Sequence, residues 1–207
     1  MEGHQPTNTV TLMGKVQGEI SFSHHVMQEK FYKLTLEVPR LSGQVDVLPV
    51  TLAEHLIEGM ALADGAQLWI KGQLRSYNRL VDGASRLVLT VFALDAELIA
   101  DDGMPLNGGP NEIFLDGFLC KPPVYRTTPF QREIADLLVA VNRAYGKSDY
   151  IPCIAWGRNA RKAGQMKVGD HVVLQGRLQS RDYRKTLPEG EVTRTAYEVS
   201  IVRLDLL

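Results

Sequence analysis

Along residues 112–119 the chain alternates Ile113, Leu115, Gly117 and Leu119 with polar or exposed positions, which is the period-two pattern of a strand with one buried face. Residues 134–142 continue it with Leu137, Val139 and Val141 on one side. In 150–156, Ile151, Cys153 and Ala155 share one face and Tyr150, Pro152, Ile154 and Trp156 the other. Residues 158–166 are short, basic and Ala-containing, and predict one or two helical turns ended by Val168, Gly169 and Asp170. Two long strands follow, over 171–183 and 195–206. The first half repeats the plan, with strands near 10–16, 31–38, 45–52, 67–77 and 86–98. Its helix, over 53–62, reads as the stronger of the two, with Leu56 and Met60 at helical spacing.

The halves agree position by position. Residues 8–50 lie on 111–153 at one constant offset, so that Asn8 meets Asn111, Leu12 Leu115, Gly14 Gly117, Leu34 Leu137, Val38 Val141, Arg40 Arg143 and Pro49 Pro152. After one inserted residue, Gly65, Gly72, Leu74 and Ser76 meet Gly169, Gly176, Leu178 and Ser180. Solenoid units are usually about 20–50 residues, so a repeat this long is one whole domain used twice. Strand, strand, strand, helix, strand, strand is the plan of an OB-fold. The fold class expected is all-β, with two tandem five-stranded Greek-key barrels, each carrying a short helix between its third and fourth strands. The barrels span 1–100 and 111–207, joined by a turn-rich connection over 101–110. An SH3-like barrel is the rival, and it lacks the helix before the fourth strand.

The length of 207 residues suits two domains of about 100 residues each. No window approaches the roughly 18 apolar residues of a membrane span. The polar stretch from Met1 to Thr9 lacks the plan of a signal peptide, so the expected location is cytoplasmic, with no membrane partner. Cys120 and Cys153 are too few for a disulfide framework or a zinc site, and neither a metal nor a cofactor is expected. The net charge of −1 divides into −5 for residues 1–106 and +4 for 107–207, which directs a polyanionic partner to the second half.

In that half, residues 111–117 (NEIFLDG), 126–129 (RTTP), 138–143 (LVAVNR), 150–157 (YIPCIAWG) and 175–181 (QGRLQSR) resemble, in order and spacing, the signatures of bacterial single-stranded DNA-binding proteins. The first half resembles them more faintly, in 8–14 and 71–75. The resemblance implies sequence-tolerant binding of single-stranded DNA in replication, recombination or repair, with no catalytic residues. It also implies a nucleoid-associated location and a homodimer that brings four barrels together. Base-stacking rings are implied at Tyr145, Tyr150, Trp156 and Tyr183. Residues alone agree for Tyr150 and Trp156, which share the face opposite the core row and so do not fill the barrel. Arg126, Arg143, Lys147, Arg158, Arg161, Lys162, Arg177, Arg181, Arg184 and Lys185 surround these rings as phosphate-neutralising cations.

The offset sets Val47, Ala53, Arg79 and Ser42 against Tyr150, Trp156, Tyr183 and Tyr145, so the first copy keeps the core row Leu48, Val50 and Leu52 without those rings. It reads as a scaffold or interaction barrel. Trp69, Lys71, Arg75, Tyr77 and Arg79, on one strand parity, are the candidates for a secondary nucleic-acid face. His24 and His25 read as a solvated loop pair without a third ligand. Many family members carry a long tail ending in acidic residues and a Pro-Phe, whereas this sequence ends at Leu207 on its last strand. That departure points to recruitment through a barrel surface or to an accessory form. The alternative reading is a primosome-like adaptor that binds replication proteins through its acidic first barrel.

Overall fold

The computed structural model describes residues 6–81, 83–100, 110–187 and 190–207, so the 101–109 part of the expected connection lies outside the described residues. In the first half, β1 (Asn8–Val26) pairs antiparallel with both β2 (Glu29–Pro39) and β4 (Gln67–Val81). β2 pairs with β3 (Val45–Ala53), and β4 with β5 (Ala84–Ile99). A short parallel pairing of β3 with β5, Val50 opposite Val91, closes the ring. The second half closes in the same way. β6 (Asn111–Leu119) pairs with β8 (Glu133–Arg143) and β10 (His171–Leu187), β8 with β9 (Lys147–Trp156), and β10 with β11 (Gly190–Leu206). Cys153 opposite Val199 is its parallel closure. These are the two five-stranded OB barrels expected from the repeat.

Residues shared by the copies do the same work in each. Leu48, Val50 and Leu52 line one barrel and Ile151, Cys153 and Ala155 the other, all buried. The Asn8 side chain bridges both backbone groups of Leu74, at 2.8 and 2.9 Å, and Asn111 bridges Leu178 at the same distances. Gly14 and Gly117 sit against the carbonyls of Glu37 and Ala140, where a Cβ would collide with backbone. Both pairs are repeat mates because both hold strands at their closest approach.

Three local expectations need correction. The first helix, α1, covers only Glu54–Ile57, and α2 (Arg158–Ala163) is the longer and better packed. Ala160 and Ala163 are small enough to be fully buried on the second barrel. In the first barrel Glu58 leaves the helical region and Gly59 takes φ +78°, so the chain turns while Leu56, Ile57 and Met60 still reach the core. His24 and His25 lie in β1, not in a loop: the hairpin with β2 runs out to Val26, His24 stacks on Phe31 at 5.0 Å, and His25 meets Phe22 at 4.8 Å. A strand the pattern did not announce, β7 (Val124–Thr127), adds to the edge of β8.

The barrels join along β1 and β6, which pair antiparallel from Asn8 opposite Leu115 to Leu12 opposite Asn111. Val10 and Ile113, mates in the repeat, face each other at the centre, so the seam has local two-fold symmetry. One antiparallel sheet, β5-β4-β1-β6-β10-β11, therefore runs through both barrels.

A second tie crosses over that seam twice. Asp149, fully buried, accepts the Ser76 N–H at 2.8 Å and Arg75 Nη1 at 3.0 Å, while the Tyr150 N–H donates to Ser76 Oγ at 2.7 Å. Its repeat mate Asp46, equally buried, accepts the Ser180 N–H at 2.7 Å and forks with Arg40, while the Val47 N–H donates to Ser180 Oγ at 2.9 Å. Each barrel thus inserts an aspartate into the other. Removing one partner from a buried charged network is costly because the others stay dry and unpaired. Asp149→Ala is expected to lower stability by about 3–5 kcal/mol in urea unfolding. A drop below about 1 kcal/mol would show that the crossed contact contributes little.

Candidate nucleic-acid interface

Alternation along β9 puts Tyr150, Pro152, Ile154 and Trp156 on its outward face, and the ladder carries that face across the barrel. Ile154 is flanked by Asp136 on β8 and Ser200 on β11, and next along β11, Glu198 lies opposite Gln179 on β10. Farther along β10 the same row continues through Arg181 to Tyr183. This outward face is the repeat counterpart of the first barrel's groove, and is called the second groove. Trp156 and Tyr150 remain 42% and 45% exposed in it, and Tyr183 38%. Tyr145 stands apart, 97% exposed at φ +63° in the turn after β8. The Tyr150 backbone is fixed to Ser76, so that ring sits where the two barrels meet.

The expected cations separate into groups. Arg126 forks onto Asp136, with its Nη2 at 2.7 Å, and Arg181 Nε lies 3.8 Å from Glu198, so both work inside the groove against carboxylates. Arg184 and Lys185 extend along the β10–β11 hairpin, where Arg184 lies 3.8 Å from Glu191. Lys147 and Arg158 are exposed at the two ends of β9. Arg161 is bound to Glu133 at 2.7 Å, and Lys162 donates to the Leu204 carbonyl at 2.7 Å near Asp205, so both already serve the packing of α2. Arg177 leaves the row. It lines a concavity over the β1–β6 seam with Thr9, Thr11, Leu41 and Phe114, and its buried Nε has no hydrogen-bond partner. Arg143 crosses over: it lies 3.6 Å from Asp149 and lines a groove of the first barrel.

That first groove has a volume of about 710 Å³ and is walled by His24, Lys33, Arg75, Tyr77, Arg79 and Phe92, with Thr51 and Thr90 bonded to each other at 2.9 Å. Among the described residues no carboxylate lines it. The row expected from strand parity therefore splits in two. Arg75, Tyr77 and Arg79 enter the groove, whereas Trp69 and Lys71, opposite Met13 and Thr11, lie on the outer face of the continuous sheet. Lys33, Phe92 and His24 escaped sequence reasoning because they come from strands other than β4. Laying Lys33 on Asp136 by the repeat offset would have found the first of them.

Burial is the largest influence on the Glu198 carboxyl and holds it above the ordinary glutamate range. Arg181, Arg126 and Arg40 pull it back and Asp136 adds to the rise. The Cys153 thiol, buried under the same strand, is pushed far above the usual cysteine range by desolvation. Among the described residues no group of three or more His, Cys, Asp or Glu is placed to hold a metal ion. Among them, too, no helix is long and apolar enough to cross a membrane.

Residues 110–207 match the family described as single-strand binding protein family. The chain is 33% identical over 99 residues to the single-stranded DNA-binding protein of Oceanobacillus iheyensis, an alignment covering 44% of this chain and 58% of that protein. It is 32% identical over 99 residues to that of Bacillus cereus, covering 44% and 55%. The chain thus spans a little over half the length of these curated relatives. In architecture it is similar to the wild-type single-stranded DNA binding protein from Thermus aquaticus, with TM-score 0.77, 22% identity, and 97% of this chain and 92% of that chain covered. That likeness extends the shared fold across both barrels.

Proposed function

We propose that this chain, whose residues 110–207 match the single-strand binding protein family, binds single-stranded DNA with little sequence preference and performs no chemical step on it. The observation that carries this reading is the outward row of exposed rings and cations on β9 and β10, set directly over a buried apolar row. A ring face accepts any base and an arginine any phosphate, so this chemistry tolerates sequence. Work on single strands in replication, recombination or repair, in the cytoplasm and at the nucleoid, belongs to the same proposal. Trp156→Ala is expected to weaken binding of oligo-dT by about 1–3 kcal/mol in a fluorescence titration, with affinity falling as salt rises. Unchanged affinity in the Trp156→Ala, Tyr183→Ala double variant would remove the strand from this groove.

The first groove is the strand's second contact in this proposal. Its lining supports that role through Lys33, Arg75, Arg79 and Arg143 around Tyr77 and Phe92. Tyr77→Ala combined with Arg79→Gln should shorten the occluded length of poly-dT and lower the salt slope by about 0.7 for each phosphate no longer neutralised. An unaltered site size and slope would return the first barrel to a scaffold.

Assembly into a homodimer of four barrels is proposed through the outer face of the continuous sheet. Met13, Trp69, Phe114 and Val173 are only half-buried there, among charges of both signs at Lys71, Asp95, Glu97, Asp116 and Arg203. Interspersed apolar and opposite charges suit pairing of such a face with its own copy. Light scattering should give twice the 23.0 kDa chain mass, and Trp69→Lys should return it to one. A monomer in the unaltered protein overturns this assembly.

A further inference from the structure

The repeat superposes the two grooves and exposes one chemical difference. At the β2 position opposite Thr51 the first groove has Lys33, and the matching β8 position, opposite Ile154, carries Asp136. At the β5 position opposite Arg75 the first groove has Thr90, and the matching β11 position, opposite Gln179, carries Glu198. The groove of the more basic half is thus the one with carboxylates in its floor. Asp136 holds Arg126 through two hydrogen bonds, at 2.7 and 3.2 Å. Glu198, with 17% of its side chain exposed, lies 3.8 Å from Arg181.

We propose that Glu198, assisted by Asp136, determines how strongly the second groove holds a strand and makes that hold tighten in mild acid. The inference rests on reading this groove as the strand site. In the free protein the two carboxylates occupy Arg181 and Arg126 as internal stand-ins for phosphate. A bound phosphate takes over those arginines and leaves the carboxylates facing a polyanion at short range. The strand therefore binds better to the form in which Glu198 carries a proton, and binding draws a proton onto it. The groups that face Glu198 are Arg181 on β10, Asp136 on β8, Arg126 on β7, Arg40 after β2 and the Cys153 thiol on β9. Burial keeps the Cys153 thiol neutral throughout this range. Burial raises the Glu198 carboxyl above its ordinary value, so affinity rises as pH falls through its titration.

The test is oligo-dT binding by the full chain between about pH 7.5 and about pH 5.5 at constant ionic strength, for the unaltered protein, Glu198→Gln and Glu58→Gln. Glu58 is exposed at the end of α1, so its substitution removes one negative charge far from the groove chemistry. At the upper pH, Glu198→Gln is expected to bind about three- to tenfold more tightly than the unaltered chain and to lose most of the acid-driven rise, since one unit of pKa change on binding is tenfold in affinity. Glu58→Gln should follow the unaltered chain. Weaker binding in Glu198→Gln, affinity equal to that of Glu58→Gln, or an undiminished acid rise would each overturn the inference. The last result would place the source of the rise outside this pair of carboxylates. No binding by the unaltered chain at any pH would instead bring down the strand-binding reading itself.

Discussion

The contact on which the rest of the molecule depends is the crossed pair of buried aspartates, Asp46 on Ser180 and Asp149 on Ser76. Strand pairing alone would set the β1–β6 seam and leave the barrels free to rock about it. A carboxylate accepting a backbone N–H from the opposite barrel is directional, and two of them on either side of the seam remove that freedom. Each aspartate is buried and charged, which is tolerable only because an arginine and a backbone donor meet it there.

Those arginines give the crossing a functional consequence. Arg40 belongs to the first copy, yet it donates to the Ser180 carbonyl and acts electrostatically on Glu198 in the second groove. Arg143 belongs to the second copy, yet it lines the first groove beside Arg75 and Tyr77. Neither groove is complete within its own barrel. A change that loosened one crossed aspartate would therefore disturb the electrostatics of both grooves.

Much of this was legible in the sequence because it rests on short-range periodicity. Two-residue alternation exposed the core rows, and a constant offset exposed the duplication with strand register accurate enough to place Asn8 and Asn111 in identical roles. The outward placement of Tyr150 and Trp156 followed from the same alternation. Composite features were harder to see. The partners in the crossed contact, Asp46 with Ser180, are separated by more than a hundred residues, and nothing local marks Asp46 as buried. The pairs Arg40/Arg143 and Ser76/Ser180 survived in both copies, and that survival at polar positions was the available signal. The first helix misled because Leu56 and Met60 have helical spacing although Gly59 turns the chain between them.

Charge is where whole-segment reasoning and local structure part most clearly. The halves carry −5 and +4, and that contrast assigns the polyanion to the second half. At physiological ionic strength a surface charge is felt over only about 8 Å, so the charges that matter to a phosphate are those lining its own groove. Counted that way the contrast narrows: the first groove is lined by Lys33, Arg75, Arg79 and Arg143, of which Arg75 and Arg143 share the buried Asp149, while the second sets Asp136 and Glu198 against Arg126 and Arg181. The excess acid of the first half lies elsewhere, as in Glu29 and Glu54, which hold His55, Lys30 and Tyr32 near the turn of the β1–β2 hairpin. Duplication let the two faces diverge in opposite directions. One carries the aromatic row with carboxylates against its arginines, and the other has cations over a floor of hydroxyls in place of those rings. A strand crossing both would meet stacking first and charge second, and the exchanged arginines lie at the point where one gives way to the other.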